Sequence, residues 1–160
     1  MNGTSFVLMR AEQVVAKEAG AFAGYGGPVW TLDRRYVAAL EGDDYYTAGT
    51  QKLVVIDVSS GTIHNLPCLG CTSIVGVGGS QLVAITDKPG ASRTMLRFDL
   101  ASPAPPVEVT MQLPQSTRAW LVAGMVNQVL VASTTGADSD DKLFTMSLIR
   151  NSSHHAADLR

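Results

Sequence analysis

"YVAAL" (Tyr36–Leu40), "LVAIT" (Leu82–Thr86) and "VLVAS" (Val129–Ser133) are short apolar runs that can be laid over one another. Aligned on Val37, Val83 and Val131, they stand 46 and 48 residues apart. A second series lies between them: "LVVIDVSSG" (Leu53–Gly61), "MLRFDLASP" (Met95–Pro103) and "LFTMSLIRN" (Leu143–Asn151), aligned on Asp57, Asp99 and Ser147 and spaced by 42 and 48 residues. The runs are bounded by Gly, Pro, Asn, Asp and Ser, and no long 3.6-residue stripe accompanies them, so they read as strands of an all-β protein. Two interleaved series with nearly one period describe a repeated four-stranded unit. About 40 to 50 residues per such unit is the length of a β-propeller blade.

Each unit then reads as strand A, strand B, a polar tip, strand C, a turn and strand D. Within one domain over residues 1–160, complete units are expected at 28–66, 72–111 and 118–159. Ahead of them, "SFVLMR" and "QVVAKE" (residues 5–18) resemble the closing C and D strands of an earlier blade, so the chain is expected to begin in mid-blade. "AEQVVAKEAGAF" (Ala11–Phe22) also carries a helical pattern, interrupted by Gly20; we read it as the second strand of a hairpin. A blade meets a neighbour on each face, so its inner strands should be apolar at every position, as "LVVIDV" and "VLVA" are. Three and a half blades are too few to close a ring, which takes about four to eight. Further blades of a longer propeller, a protein partner or self-association are therefore expected to cover the ends, a portion of a larger propeller being preferred to a self-closing dimer.

"PVWTLDRRYVAAL" (Pro28–Leu40) resembles the repeat signature of TolB-type, WD40-like propellers, in which Pro-x-Trp precedes Ser or Thr, any residue, Asp, Gly, a basic residue and an apolar strand. Pro28, Trp30, Thr31, Asp33, Arg35 and Val37 occupy the matching places. Arg34 stands where the family has Gly, which implies an A–B turn of another type. "LVVIDVSSGTIHNLP" is similar to the family's C and D strands. The likeness is specific over Pro28–Pro67 and only periodic beyond.

Composition fits a globular chain: 160 residues, 46% hydrophobic and 16% charged, with a formal net charge of −2. Its cations are scattered, so no basic stripe is present to neutralise a phosphate backbone, and nucleic acid is not an expected partner. The run "FVLM" (Phe6–Met9) is far too short for a signal-peptide core or a membrane span. The chain reads as soluble, with no membrane partner and its compartment unspecified.

"HNLPCLGCTS" (His64–Ser73) holds both cysteines, in the connection between two units. A zinc site takes four ligands, and only His64 lies near Cys68 and Cys71; a redox Cys-x-x-Cys starts a helix, and here a strand follows. A local disulfide or a pair of thiols in a Gly-containing turn is the expected state. The acidic tips "EGDDYY" (Glu41–Tyr46) and "GADSDDK" (Gly136–Lys142) lack the central Gly and distal Glu of a calcium loop. "GYGG" and "GVGGS" lead into strands, not into the helix a phosphate cradle requires. Ser80 lacks the strand-to-helix elbow of a hydrolase nucleophile. Trp30 and Trp120 read as blade packing before ligand stacking, and "SPAPPVEV" (Ser102–Val109) as a C–D turn entering an edge strand, where Pro costs no ladder bond.

The expected function is a non-catalytic binding or scaffolding module with no catalytic residue, metal or cofactor, whose loops make the contacts. Asp43, Tyr45 and Tyr46 on one tip and Trp120 near a strand start are its candidate contact residues. Two alternatives come from other classes. Because TolB-like propellers also gate serine peptidases of the prolyl oligopeptidase type, one is the gate of a hydrolase whose catalytic domain lies elsewhere; the other is a metal or redox module using Cys68 and Cys71.

Overall fold

A computed structural model of the chain describes residues 4–22, 27–42, 52–86, 94–110, 118–134 and 141–148. Every regular element in them is a strand: β1 (Thr4–Arg10), β2 (Gln13–Gly20), β3 (Val29–Trp30), β4 (Tyr36–Glu41), β5 (Lys52–Asp57), β6 (Ile63–Pro67), β7 (Cys71–Gly76), β8 (Gln81–Thr86), β9 (Thr94–Asp99), β10 (Val107–Thr110), β11 (Arg118–Met125), β12 (Gln128–Thr134) and β13 (Asp141–Ser147). Four antiparallel sheets result, β1-β2, β3-β4-β5-β6, β7-β8-β9-β10 and β11-β12-β13, each a meander of sequence neighbours. Gln13–Gly20 is strand, so the hairpin reading of that segment holds over the helical one. The fourth strand expected in the last unit falls beyond residue 148, outside the described residues.

The period-2 alternation of a strand explains why the inner runs have no polar face. On β4 and β5, Val37, Ala39, Val54 and Ile56 turn toward the first hairpin and pack with its Phe6, Leu8 and Ala16. The intervening residues, Tyr36, Ala38, Leu53 and Val55, turn the other way and meet Ile74, Leu82, Ala84 and Phe98 of the next sheet. On that sheet Val83, Ile85 and Met95 in turn face Ala119, Leu121, Val129 and Val131 of the last. Three apolar seams therefore alternate with the sheets. Each buried Val, Leu or Ile contributes about 1.5–3 kcal/mol, so the seams dominate the stability.

The Asp positions of the sequence repeat mark the ends of C strands, and the structure shows what they do there. Asp57 Oδ1 accepts the Ser59 hydroxyl and the Ser59 and Ser60 N–H groups, closing the C–D turn around Gly61 (φ 75°). Asp99 Oδ1 accepts Ala101 N–H in the same place of the next sheet. The residue that follows, Val58, Leu100 or Leu148, donates its N–H to a carbonyl of its own sheet's A–B turn, Arg35, Ser80 or Asn127 respectively. The same main-chain tie thus recurs in three sheets, and it fixes which residues can repeat.

Arg34 takes φ 58° itself, the left-handed conformation that a Gly would supply there; Gly79 (φ 48°) is its counterpart in the next sheet, whereas Asn127 (φ 58°) corresponds to Arg35, one position later. A non-Gly residue there costs about 1–2 kcal/mol, which the surrounding hydrogen bonds offset. The A strands approach each other closely at two glycines. A Cβ on Gly76 would overlap the Trp30 carbonyl, and one on Gly124 would overlap the Gly76 carbonyl, so backbone stacks on backbone from sheet to sheet.

Candidate functional site

The seam between the two four-stranded sheets collects the residues with chemistry. At its inner end the A–B turns are latched together. Asp33 Oδ1 accepts the Thr31 hydroxyl (2.7 Å) and Arg35 N–H (3.1 Å), which shapes its own turn. Its other oxygen accepts the hydroxyl of Ser80, across the seam. Asp33 N–H also reaches the Gly79 carbonyl at 3.3 Å. Partial burial pushes the Asp33 carboxyl up, but the hydrogen bonds from Ser80, Thr31 and Arg35 outweigh it and hold it below the usual carboxylate range. Ser80 therefore serves as a hydrogen-bond donor between sheets.

The connection from β6 to β7 closes the same seam. Cys68 and Cys71 are joined by a disulfide, both fully buried in the core shared by the two sheets. Gly70 (φ 75°) supplies the turn between them, and Cys71 N–H donates to the Cys68 carbonyl. Cys71 is the first residue of β7, one position earlier than the sequence placed the strand. In the disulfide neither sulfur is a thiolate, the form that ligates metal or attacks as a nucleophile. Among the described residues no three His, Cys, Asp or Glu side chains are grouped as a metal site.

Toward the outer rim the seam opens into a cavity of about 500 Å³. Tyr36, Val55 and Phe98 form its floor, His64, Leu66 and Pro67 of β6 one wall, and the stretch from Asp99 to Pro106 the other. The sequence places the proline-rich turn at the entry to an edge strand. It does lead into β10, which lies at the edge of its sheet, and it also builds this wall.

Of the candidate contact residues, Asp43, Tyr45 and Tyr46 lie outside the described residues. Trp120 is on a strand, third in β11, not in a loop. It pairs with Ala132, which pairs with Leu143, so the three form a row across the last sheet. The parity of β11 puts Ala119 and Leu121 in the seam and Trp120 on the opposite face, while Val122 is the extra residue of the bulge between Leu121 and Ala123. Trp30, read as packing, is 45% exposed on β3. The sequence signalled the cavity only in fragments, a histidine, a repeat Asp and a proline cluster, because its two walls belong to different sheets.

Three solved structures are similar in architecture. A eukaryotic initiation factor matches with a TM-score of 0.57 and 14% identity, over 86% of this chain and 34% of that one. TolB from Acinetobacter baumannii matches at 0.53 and 12%, over 85% and 32%, and the N-terminal domain of Nup159 at 0.52 and 13%, over 86% and 37%. TolB and the Nup159 domain are β-propellers. The sheets are propeller blades. The chain spans about a third of the length of the solved structures it matches. No protein-family model matches the sequence, and no curated protein does. No helix among the described residues is long and apolar enough to cross a membrane.

Proposed function

We propose that the chain is a non-catalytic binding and scaffolding segment of a β-propeller, with further blades seated on its two end faces. The observation that carries this reading is the chemistry of those faces. On the outward side of the first hairpin Met9 and Val14 are register partners, 57% and 58% exposed, with Val7 beside them. At the other end Leu143, in the row that bears Trp120, is 57% exposed, and Val122, in the bulge of β11, is 49% exposed. Every interior sheet has the same kind of face covered by a neighbour, and contiguous apolar surface of this sort marks an interface. The greater length of the similar propellers, of which the chain covers about a third, supports further blades as the occupant.

In this reading Trp120 belongs to a covered face, and ligand contact falls to the loops at the blade ends, Asp43, Tyr45 and Tyr46 among them. Light scattering on the isolated chain tests the proposal. Self-association at micromolar concentration is expected, with a shift toward monomer in the Val122→Glu, Leu143→Glu double variant. A monodisperse monomer whose mass and cooperative unfolding are the same in wild type and variant would overturn it.

A further inference from the structure

We propose that the cavity at the outer rim of the central seam binds a small neutral aromatic molecule, one or two fused rings bearing a single hydrogen-bonding group. The proposal concerns a site inside the described residues and does not depend on what covers the end faces. The cavity, about 500 Å³, falls within the roughly 300–1,000 Å³ typical of small-molecule sites. It continues the core that the two four-stranded sheets share, since Leu66 of β6 and Leu100 after β9 both line it and both pack against that core. Tyr36, Val55 and Phe98, all buried, make the floor, and Pro67, Pro103, Pro105 and Pro106 add flat apolar surface around it. Such rings offer a planar ligand faces and edges to pack against.

Strand parity then decides against a charged ligand. Val55 faces the seam, and its register partner His64 shares that face, as does Leu66 two residues on. Phe98 also faces the seam, so Asp99, the next residue, directs its carboxylate the other way, and its Oδ1 accepts Ala101 N–H within the C–D turn. Asp57, in the row of Tyr36, is likewise held in its own turn by Ser59 and Ser60 and lies outside the lining. Among the described residues the lining contains no Lys or Arg; the Arg35 guanidinium rests against the Tyr36 ring, 5.4 Å from its centre. An ionic ligand would leave water for a lining with no opposite charge to receive it, and that desolvation is costly. A neutral ring meets no such penalty. His64 supplies the polar contact: its imidazole, exposed at the rim, can donate through one nitrogen or accept through the other. A single N–H or O–H on the ligand is thereby matched.

Titration of the chain with indole tests this by amide chemical-shift mapping, alongside indole-2-carboxylate and N-methylquinolinium, an anion and a cation with fused rings of similar size. Saturable indole binding is expected, with shifts confined to Ile63–Pro67 and Phe98–Pro106. Both ions should bind more weakly by about ten-fold, because each sheds hydration that the apolar lining does not replace. His64→Leu keeps the wall apolar and should weaken indole by about five-fold, the loss of one hydrogen bond, while 1-methylindole, which lacks the N–H, should be unaffected. Ala104→Trp, a change at an exposed lining position, should obstruct the cavity and abolish binding of every probe. No saturable indole binding, an ion that binds as tightly as indole, or an indole affinity that either variant leaves unmoved would each overturn the assignment.

Discussion

Truncating Asp33 to Ala is the sharpest test of the idea that the blades are locked at their inner turns. The carboxylate accepts three hydrogen bonds, from the Thr31 hydroxyl, Arg35 N–H and the Ser80 hydroxyl. A hydrogen bond to a charged group is worth about 1.5–3 kcal/mol when shielded, and the exposure of Asp33 reduces each to roughly 0.5–1. The loss should be about 2 kcal/mol, measured as a lowered urea midpoint with an unchanged slope. Ser80→Ala should cost about 1 kcal/mol, since it removes only the bond across the seam. The double variant should then cost less than the sum of the two by about 0.5–1 kcal/mol, which is the coupling between sheets. Asp33→Asn retains an acceptor for Thr31 and Arg35 and presents an amide N–H₂ that Ser80 Oγ can accept, so it should lose less than half as much as Asp33→Ala. Strict additivity of Asp33→Ala and Ser80→Ala would refute the latch, because two groups that do not interact cannot be coupled. So would an Asp33→Ala cost below about 0.5 kcal/mol, the level of an ordinary surface substitution.

Gly124→Ala should destabilise by about 3 kcal/mol or more, read by thermal or urea unfolding, because the new Cβ meets the rigid Gly76 carbonyl and no flexible side chain can yield. In the β1–β2 hairpin Ala11 (φ 44°) and Glu12 (φ 68°) both occupy the left-handed region. The Ala11→Asn, Glu12→Gly double variant should gain about 1 kcal/mol in the same assay, the relief of strain exceeding the extra chain entropy of Gly. The Asp57 carboxyl is held down at about 2, first by the Ser59 hydroxyl and then by the Ser60 and Ser59 N–H groups. A folded-state pKa below the unfolded one contributes stability that is complete above the unfolded value and disappears as pH falls through the folded one. Urea midpoints should therefore fall between about pH 4 and pH 2, by about 1 kcal/mol after allowance for solvent screening, and Asp57→Asn should flatten that limb.

The parts of the fold written in local chemistry were the parts legible in the sequence. Val37 and Val54 face one seam and Ala38 and Val55 the other, so both parities had to be apolar and the run announced a two-faced strand. Asp57 and Asp99 recur because each closes a turn within a few residues of itself. Arg34 hides its conformation for an energetic reason: the cost of a left-handed Arg is small enough for neighbouring hydrogen bonds to carry, so the positive φ survives the loss of Gly. The bond from Ser80 to Asp33 spans 47 residues, and no spacing rule links them; only the stacking of one blade on the next does. The cavity was hidden in the same way, since Tyr36 and His64 come from one sheet and Phe98 and Asp99 from another.

The same contrast bears on the cysteines. In sequence, Cys68 and Cys71 are the most chemical-looking feature of the chain. In the fold, their disulfide is buried where one blade hands over to the next, packed with Ile74, Leu82 and Phe98. A crosslink between residues three apart removes little loop entropy from the unfolded chain, so its contribution must come mainly from the native side. There it fills the core without polar hydrogens and sets the direction in which β7 leaves β6. Replacing both residues by Ala should therefore act like a core truncation, costing about 2–4 kcal/mol, while replacing both by Val, closer in volume, should recover most of the loss. If the Val pair were no more stable than the Ala pair, the covalent bond itself would be what holds the seam.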